Sequence, residues 1–387
     1  MRTLGKWLGR ILLSLVLAAV VIGIWKREEI MRLWAVKSLF AEEKIVRNFS
    51  HMDDAFLTMP LPRGDGPVSP LPDGDPTQLP EGATDWIKER AITSLLVMKD
   101  GTIRYEDYFL GTTPNDRRIS WSIAKSYLSA LFGVLLDEGA IESLDDPVTQ
   151  YAPQLVGTAY DGASIRNVLN MASGVIFDED YHDPDSDINR MGRIVALGGT
   201  LDDFTASFYD RFSDPGLAWK YVSIDTHVIG MVIRGATGRS ISDLLAEKIL
   251  QPLRQEQDGY YLTDGAGVAF VLGGLNFTTR DYARFAQMIL QNGEYNGQQV
   301  VPADWVAAST AASAPTEPGK IGYGYQWWIP VGAHAGEFMG RGVYGQYLYI
   351  DQAKNVVIVT TAADRAFRQA GVSASNIEMF RQIADNL

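Results

Sequence analysis

The chain has 387 residues, 46% hydrophobic and 21% charged, enough for one large globular domain or two modest ones. Its formal net charge of −13, with no Lys/Arg run beyond the first residues, excludes a general nucleic-acid binder, because phosphate binding needs clustered cations. It has no cysteine, which excludes disulfides, thiol nucleophiles and cysteine-based zinc sites together, and His51, His182, His227 and His334 are too scattered to predict a metal site.

At the N-terminus, Arg2, Lys6 and Arg10 precede the uncharged apolar run Ile11–Trp25, and Lys26-Arg27-Glu28-Glu29 follows it. Counted from Trp7, with Arg10 snorkelling, the run approaches the roughly 20 residues that cross a bilayer. No clear small-x-small cleavage site follows before the charged flank, so residues 1–30 read as an uncleaved signal anchor. The basic excess before the run puts the N-terminus in the cytoplasm and the remainder of the chain on the periplasmic, extracytoplasmic side of the inner membrane. Secretion after cleavage is the alternative, and a buried amphipathic helix a third.

Arg27 to about Leu57 has a helical, amphipathic pattern, and Met59–Pro76 is dense in Pro and Gly. The latter cannot hold a helix or a central strand, so it is expected to be an extended linker or a loop over the domain surface. Residues 31–80 therefore read as an amphipathic segment and linker, with the globular domain at 81–387. Ile92–Leu110 holds an apolar run, an Asp-Gly turn and an alternating run, which predicts a β-hairpin. Leu128, Leu131, Phe132, Leu135 and Leu136 recur at helical spacing and stop at Gly139. Helices are also predicted for Ser164–Met171, His227–Thr237, Ile241–Ile249 and Asp281–Asn292. Gln346–Ile350 and Val356–Thr360 read as strands, and Arg368–Ala384 as a closing helix. Strands at both ends with helices between predict an α+β fold: an antiparallel sheet flanked by helices, with an inserted helical part. The α/β part covers about 81–120 and 265–387, the mainly helical part about 121–264, and a cleft between them is the natural place for a site.

Ser122 and Lys125 stand three residues apart at the head of the apolar helix. On a helix such residues share a face, so the amine can reach the hydroxyl. A serine needs a base to become a nucleophile. For a lysine to serve, its pKa must fall from about 10.4 to about 7 or 8, a cost of roughly 3 to 5 kcal/mol to the ammonium that burial can supply. A chain of this length holds about one Ser-x-x-Lys by chance, and Ser120 or Ser122 could equally cap the helix. A lysine facing into an apolar helix is costly unless it is used.

Ser122-Ile-Ala-Lys125, with "DEGAIESLDDPVTQYAPQL" (Asp137–Leu155) and "SIRNVLNMASGV" (Ser164–Val175) following in order, resembles the serine β-lactamase and penicillin-binding protein superfamily. The likeness is to its class C-like branch of esterases and nylon-oligomer (aminohexanoate-dimer) hydrolases, from about Ile92 to the end. It implies a β-lactamase/transpeptidase-like fold and no cofactor or metal. Tyr221-Val222-Ser223 matches the branch's second motif, making Tyr221 a proton relay between Ser122, Lys125 and the leaving group, and Ser223 a substrate contact. An aromatic core residue is the other reading of Tyr221. Gly340-Arg341-Gly342 stands where the superfamily has Lys-Thr-Gly or His-x-Gly. That lysine is absent, which counts against penicillin hydrolysis as the main activity; Arg341 either replaces its charge or faces solvent. The resemblance further implies an oxyanion hole from the backbone N–H groups of Ser122 and Val343, beside Gly342. "FDEDYHDPDSDINRM" (Phe177–Met191) resembles the nylon-oligomer-hydrolase loop, with Tyr181 bordering the substrate. A solvated acidic loop is the plainer reading, and its spacing is not that of a calcium-binding EF-hand. His227 reads as a packing residue.

The sequence thus predicts an acyl-serine hydrolase acting on a small amide or ester, attached to the membrane by its first helix and independent of nucleic acid. The alternative is a catalytically silent module that binds cell-wall peptide or a protein partner through the same cleft. Oligomeric state is not readable.

Overall fold

The computed structural model describes residues 2–387, and the side chains of all of these except residues 2–6 and 19. The expected basic side chains of Arg2 and Lys6 therefore lie outside the described residues.

The predicted hairpin forms from Ile92–Lys99 and Thr102–Tyr108. Its turn places Asp100 at φ 53° and Gly101 at φ 76°, the double left-handed conformation whose twist suits a two-residue hairpin. Five more strands complete an antiparallel sheet in the order Thr102–Tyr108, Ile92–Lys99, Val356–Ala362, Gln346–Asp351, Glu337–Gly342, Trp328–Ile329 and Gly322–Tyr323. The hairpin thus pairs with a strand from the far end of the chain, Leu96 opposite Val359. Period-two alternation divides the side chains of Ile92–Lys99: Leu95 and Val97 pack with Trp86 and Phe380 of the C-terminal helix, whereas Leu96 and Met98 enter the larger core on the other face. With both faces covered, this strand is almost wholly buried.

Helix Ala124–Asp137 lies in that larger core, with eleven of its residues buried on nearly every side, and ends before Gly139 at φ 74°. Helix Ser223–Thr237 packs against it and carries helix Ile165–Leu169 in turn, while Thr279–Leu290 packs against the large sheet. The closing helix begins at Val372, later than Arg368, because Gly371 at φ 86° sets its start.

Residues 31–80, read as an amphipathic segment and a linker or surface loop ahead of the globular domain, contribute to its core and sheet. The helix stops at Lys37, and the chain then turns so that Leu39, Ile45, Phe49 and Met52 enter the main core. Leu57–Leu61 is a strand of a second sheet, ordered Leu57–Leu61, Gly259–Thr263, Leu275–Phe277 and Arg118–Ile119. It tolerates Pro60 because it is an edge strand, where a missing N–H need not break a ladder. Past it the chain lies over the surface, held by Ser69 N–H on the Arg254 carbonyl and Ile103 N–H on the Pro72 carbonyl. The globular core therefore starts near Leu39, not after the Pro/Gly-rich stretch. Before it, Trp7–Trp25 of helix Arg2–Trp25 is one apolar stretch long enough to cross a membrane, with none of it buried against the protein.

Candidate active site

The strand Arg118–Ile119 delivers the chain into a short 3₁₀ turn, Trp121–Ile123, from which helix Ala124–Asp137 starts. Trp121 adopts φ 43°, a left-handed conformation unusual for a bulky residue, so the chain turns sharply just before Ser122. Neither serine caps the helix: the Ser120 hydroxyl donates to the Trp121 carbonyl, and Ser122 Oγ receives the Lys125 amine. Lys125 is only 1% exposed. Its Nζ donates to Ser122 Oγ at 2.9 Å and to the Leu272 carbonyl at 2.7 Å. Burial pulls this amine down to about 7, with Glu179 pulling weakly the other way. A substantial fraction of Lys125 is therefore neutral at physiological pH, the condition for acting as a base.

Tyr221 reaches the same place from the entrance of helix Ser223–Thr237. The Lys125 amine lies 5.3 Å from its ring centroid. Burial raises the phenol, and Glu179 adds to this; the Ser122 and Ser223 hydroxyls and Arg341 favour the ionised form without prevailing, so the net shift is well above the ordinary tyrosine range. At neutral pH Tyr221 is thus a protonated donor rather than a standing phenolate. Its ring stacks on Trp328, and the Arg341 guanidinium lies 5.4 Å from the Trp328 centroid. Arg341, left open between charge and solvent by the sequence, contributes its charge to the surroundings of Tyr221.

The loop after Phe177 supplies a residue that the sequence did not single out. Glu179 accepts the Ser223 backbone N–H, and Tyr181 donates to its other oxygen at 3.2 Å. Burial raises this carboxyl, while Lys125, Ser223 and Tyr181 act against that shift. Glu179 was hidden within a run of acids that reads as a solvated loop; only its fold back onto residue 223 buries it. Asn189 holds the loop by donating to the carbonyls of Tyr181 and Asp183 at 3.2 and 2.7 Å. Tyr181 lines the Ser122 cavity, with Arg368 over its ring. His227 pairs with Asp202 at 2.7 Å and does not line that cavity. No cluster able to hold a metal occurs among the described residues.

Strand Glu337–Gly342 packs against the turn that carries Ser122. A Cβ on Gly342 would stand 2.6 Å from the Ser120 carbonyl and 3.1 Å from the Trp121 side chain, so a glycine lets this strand approach the serine turn. Val343 then lines the cavity with Ser122, and Tyr344, at φ 62°, turns the chain away. The cavity measures about 840 Å³ and holds Ser122, Tyr181, Ser223 and Val343 on its walls.

An antiparallel sheet with a helical part folded against it, and a serine and a buried lysine one turn apart in the cleft between, are the fold and site of a serine hydrolase. The beta-lactamase family model matches residues 87–370, and the chain belongs to that family. It is 32% identical over 324 residues to the 6-aminohexanoate-dimer hydrolase of Paenarthrobacter ureafaciens, covering 80% of each chain. Penicillin-binding protein 4* of Bacillus subtilis is 22% identical, over 68% of this chain and 65% of that one. Among solved structures, a Bacillus anthracis protein assigned as a 6-aminohexanoate-dimer hydrolase superposes with a TM-score of 0.80 at 24% identity, over 89% of this chain and 95% of that one. The octameric penicillin-binding protein homologue of Pyrococcus abyssi gives 0.57 at 19% identity, over 77% and 76%. These two structures share the fold.

Proposed function

We propose that the protein is an acyl-serine hydrolase of a small amide or ester, with Ser122 as nucleophile, Lys125 as its base and Tyr221 as the proton donor to the leaving group. The observation that carries this reading is the 2.9 Å contact between a desolvated amine and the Ser122 hydroxyl. Ser122 Oγ attacks the substrate carbonyl and passes its proton to Lys125. The carbonyl oxygen takes the negative charge, facing the backbone N–H groups of Ser122 and Val343. Collapse of this adduct expels the amine or alcohol, which takes a proton through Tyr221; water then attacks the acyl-serine by the reverse proton route. Ser223, Tyr181, Arg341 and Gly342 are assigned to substrate binding; of these Ser223 and Tyr181 line the cavity, while Arg341 and Gly342 stand outside its lining. An amide is favoured by the aminohexanoate-dimer hydrolase at 32% identity. The apolar helix is proposed to hold the enzyme at the inner membrane with its catalytic domain outside the cytoplasm, residues 1–30 forming the anchor.

The test is a serine-directed fluorophosphonate together with a panel of aminohexanoate oligomers, short-chain esters, D-amino-acid amides and a chromogenic cephalosporin. Labelling of the wild type but not of Ser122→Ala, with turnover of an amide or ester, is expected. An unlabelled wild type, as a silent binding module would give, overturns the reading.

A further inference from the structure

The cavity at Ser122 is not enclosed by the family domain alone. Leu33, Val36 and Phe40, from the helix and turn that follow the apolar N-terminal stretch, line one side of it, and Met191, Phe270 and Leu272 line the others. Only Lys26 separates the two helices, and two backbone hydrogen bonds tie them across it: Lys26 N–H to the Ile22 carbonyl at 2.8 Å and Ile30 N–H to the Lys26 carbonyl at 2.9 Å. Helix Arg27–Lys37 then packs on helix Asp187–Leu197, and Phe40 stacks on Tyr344 with centroids 5.1 Å apart, next to Val343. The stretch Trp7–Trp25 is about 28 Å long at 1.5 Å per residue, the thickness of a bilayer's hydrocarbon, and has a tryptophan at each end where interfacial aromatics belong. Met31 and Trp34 stand exposed on the next helix, at 56% and 67%, placing apolar side chains where that helix would meet the headgroups.

We infer that the substrate is a single-chain amphiphile, an ester or amide bearing a long apolar chain, which passes from the membrane along Leu33, Val36 and Phe40 to Ser122. This rests on the hydrolase and anchor readings above and adds the substrate class. A small polar amide does not need an 840 Å³ cavity walled by leucine, valine and phenylalanine from a juxtamembrane helix. An apolar chain gains roughly three- to fourfold in kcat/KM for each methylene buried there.

The test uses the full chain in phosphatidylcholine vesicles and compares second-order labelling of Ser122 by ethyl and decyl fluorophosphonate. The decyl probe is expected to react at least tenfold faster, and Leu33→Asp and Val36→Asp are each expected to cut the decyl-to-ethyl ratio at least fivefold. Labelling by both probes with a wild-type ratio below tenfold, or a ratio that neither variant lowers, overturns the amphiphile proposal and leaves the hydrolase reading standing. Labelling by neither probe overturns both.

Discussion

Tyr221 lies flat against Trp328, with ring centroids 4.9 Å apart and planes at 28°. The stack fixes the phenol from the side of the large sheet, while the backbone of Tyr221 belongs to the entrance of a helix on the other side of the cleft. Tyr221→Phe keeps the stack and removes the hydroxyl proposed as the proton donor. It should lower kcat/KM about 10²- to 10³-fold with unchanged thermal stability, within the range of general acid–base catalysis. Trp328→Leu should lower activity less and broaden substrate preference. Steady-state kinetics on one amide and one ester check both.

Lys125 gives acylation a predictable pH dependence. Its amine, brought down to about 7 by burial, must be neutral to accept the serine proton, so the rate should rise with pH through about 7 and level off above. The same shift opposes folding: between pH 7 and 10.4 the unfolded chain holds a proton on this lysine that the folded chain lacks, so this contribution to stability rises with pH across that window and is at its worst below it. Lys125→Met should therefore be inactive yet more resistant to denaturant at pH 6 than the wild type, by a few kcal/mol at most. Urea melts at pH 6 and pH 10 measure this, and a normal acylation rate in the variant would rule out the base.

Glu179 pulls the Lys125 amine upward, so neutralising it should shift the acidic limb of the rate profile the opposite way. In Glu179→Gln the limb is expected to move to lower pH. Glutamine retains an acceptor for Ser223 N–H, which keeps the loop in place. An unmoved limb would show that the carboxyl does not sense the lysine.

Asp225 is a second buried carboxyl near the site, accepting from Tyr160 and Ser173 at 2.8 Å each and raised by burial to about 7. Its folded-state pKa lies above its unfolded one, so its contribution to stability is full below about pH 4 and is lost as pH rises through about 7. Asp225→Asn keeps the two acceptor contacts without the charge. The variant should melt higher than the wild type at pH 8 and close to it at pH 4, a difference that scanning calorimetry reads directly.

Gly342→Ala tests the closeness of the strand to the serine turn. The added methyl would meet the Ser120 carbonyl at 2.6 Å, forcing the strand and Val343 away from Ser122. A displacement of about 1 Å at an oxyanion donor is worth roughly 10²-fold, so activity should fall by about that much. Backbone strain is not the cause, because Gly342 sits at φ −115°. Lys125 remains in place, and its pH limb should persist.

The order of the elements was largely legible before the structure, since each follows from local rules: the Asp100-Gly101 turn, the Leu128 to Leu135 spacing ending at Gly139, and the two strands at Gln346 and Val356. The Ser122 and Lys125 pair was legible for the same reason, because one helical turn is a local distance. The segment from Leu39 to Leu61 was not. Its pattern is helical up to Leu57 and Pro60 then speaks against helix, but its strand exists only because Gly259–Thr263 offers a free edge, a partner about 200 residues away in the chain. Glu179 was concealed likewise: a carboxyl among five other acids reads as solvated until a tertiary contact with Ser223 removes the water around it. The charge state of the site follows the same division. Residue types and helical spacing settle which groups can meet, but the lowered pKa of the Lys125 amine and the raised pKa of the Tyr221 phenol are consequences of desolvation, a property of everything packed around them and of no residue alone.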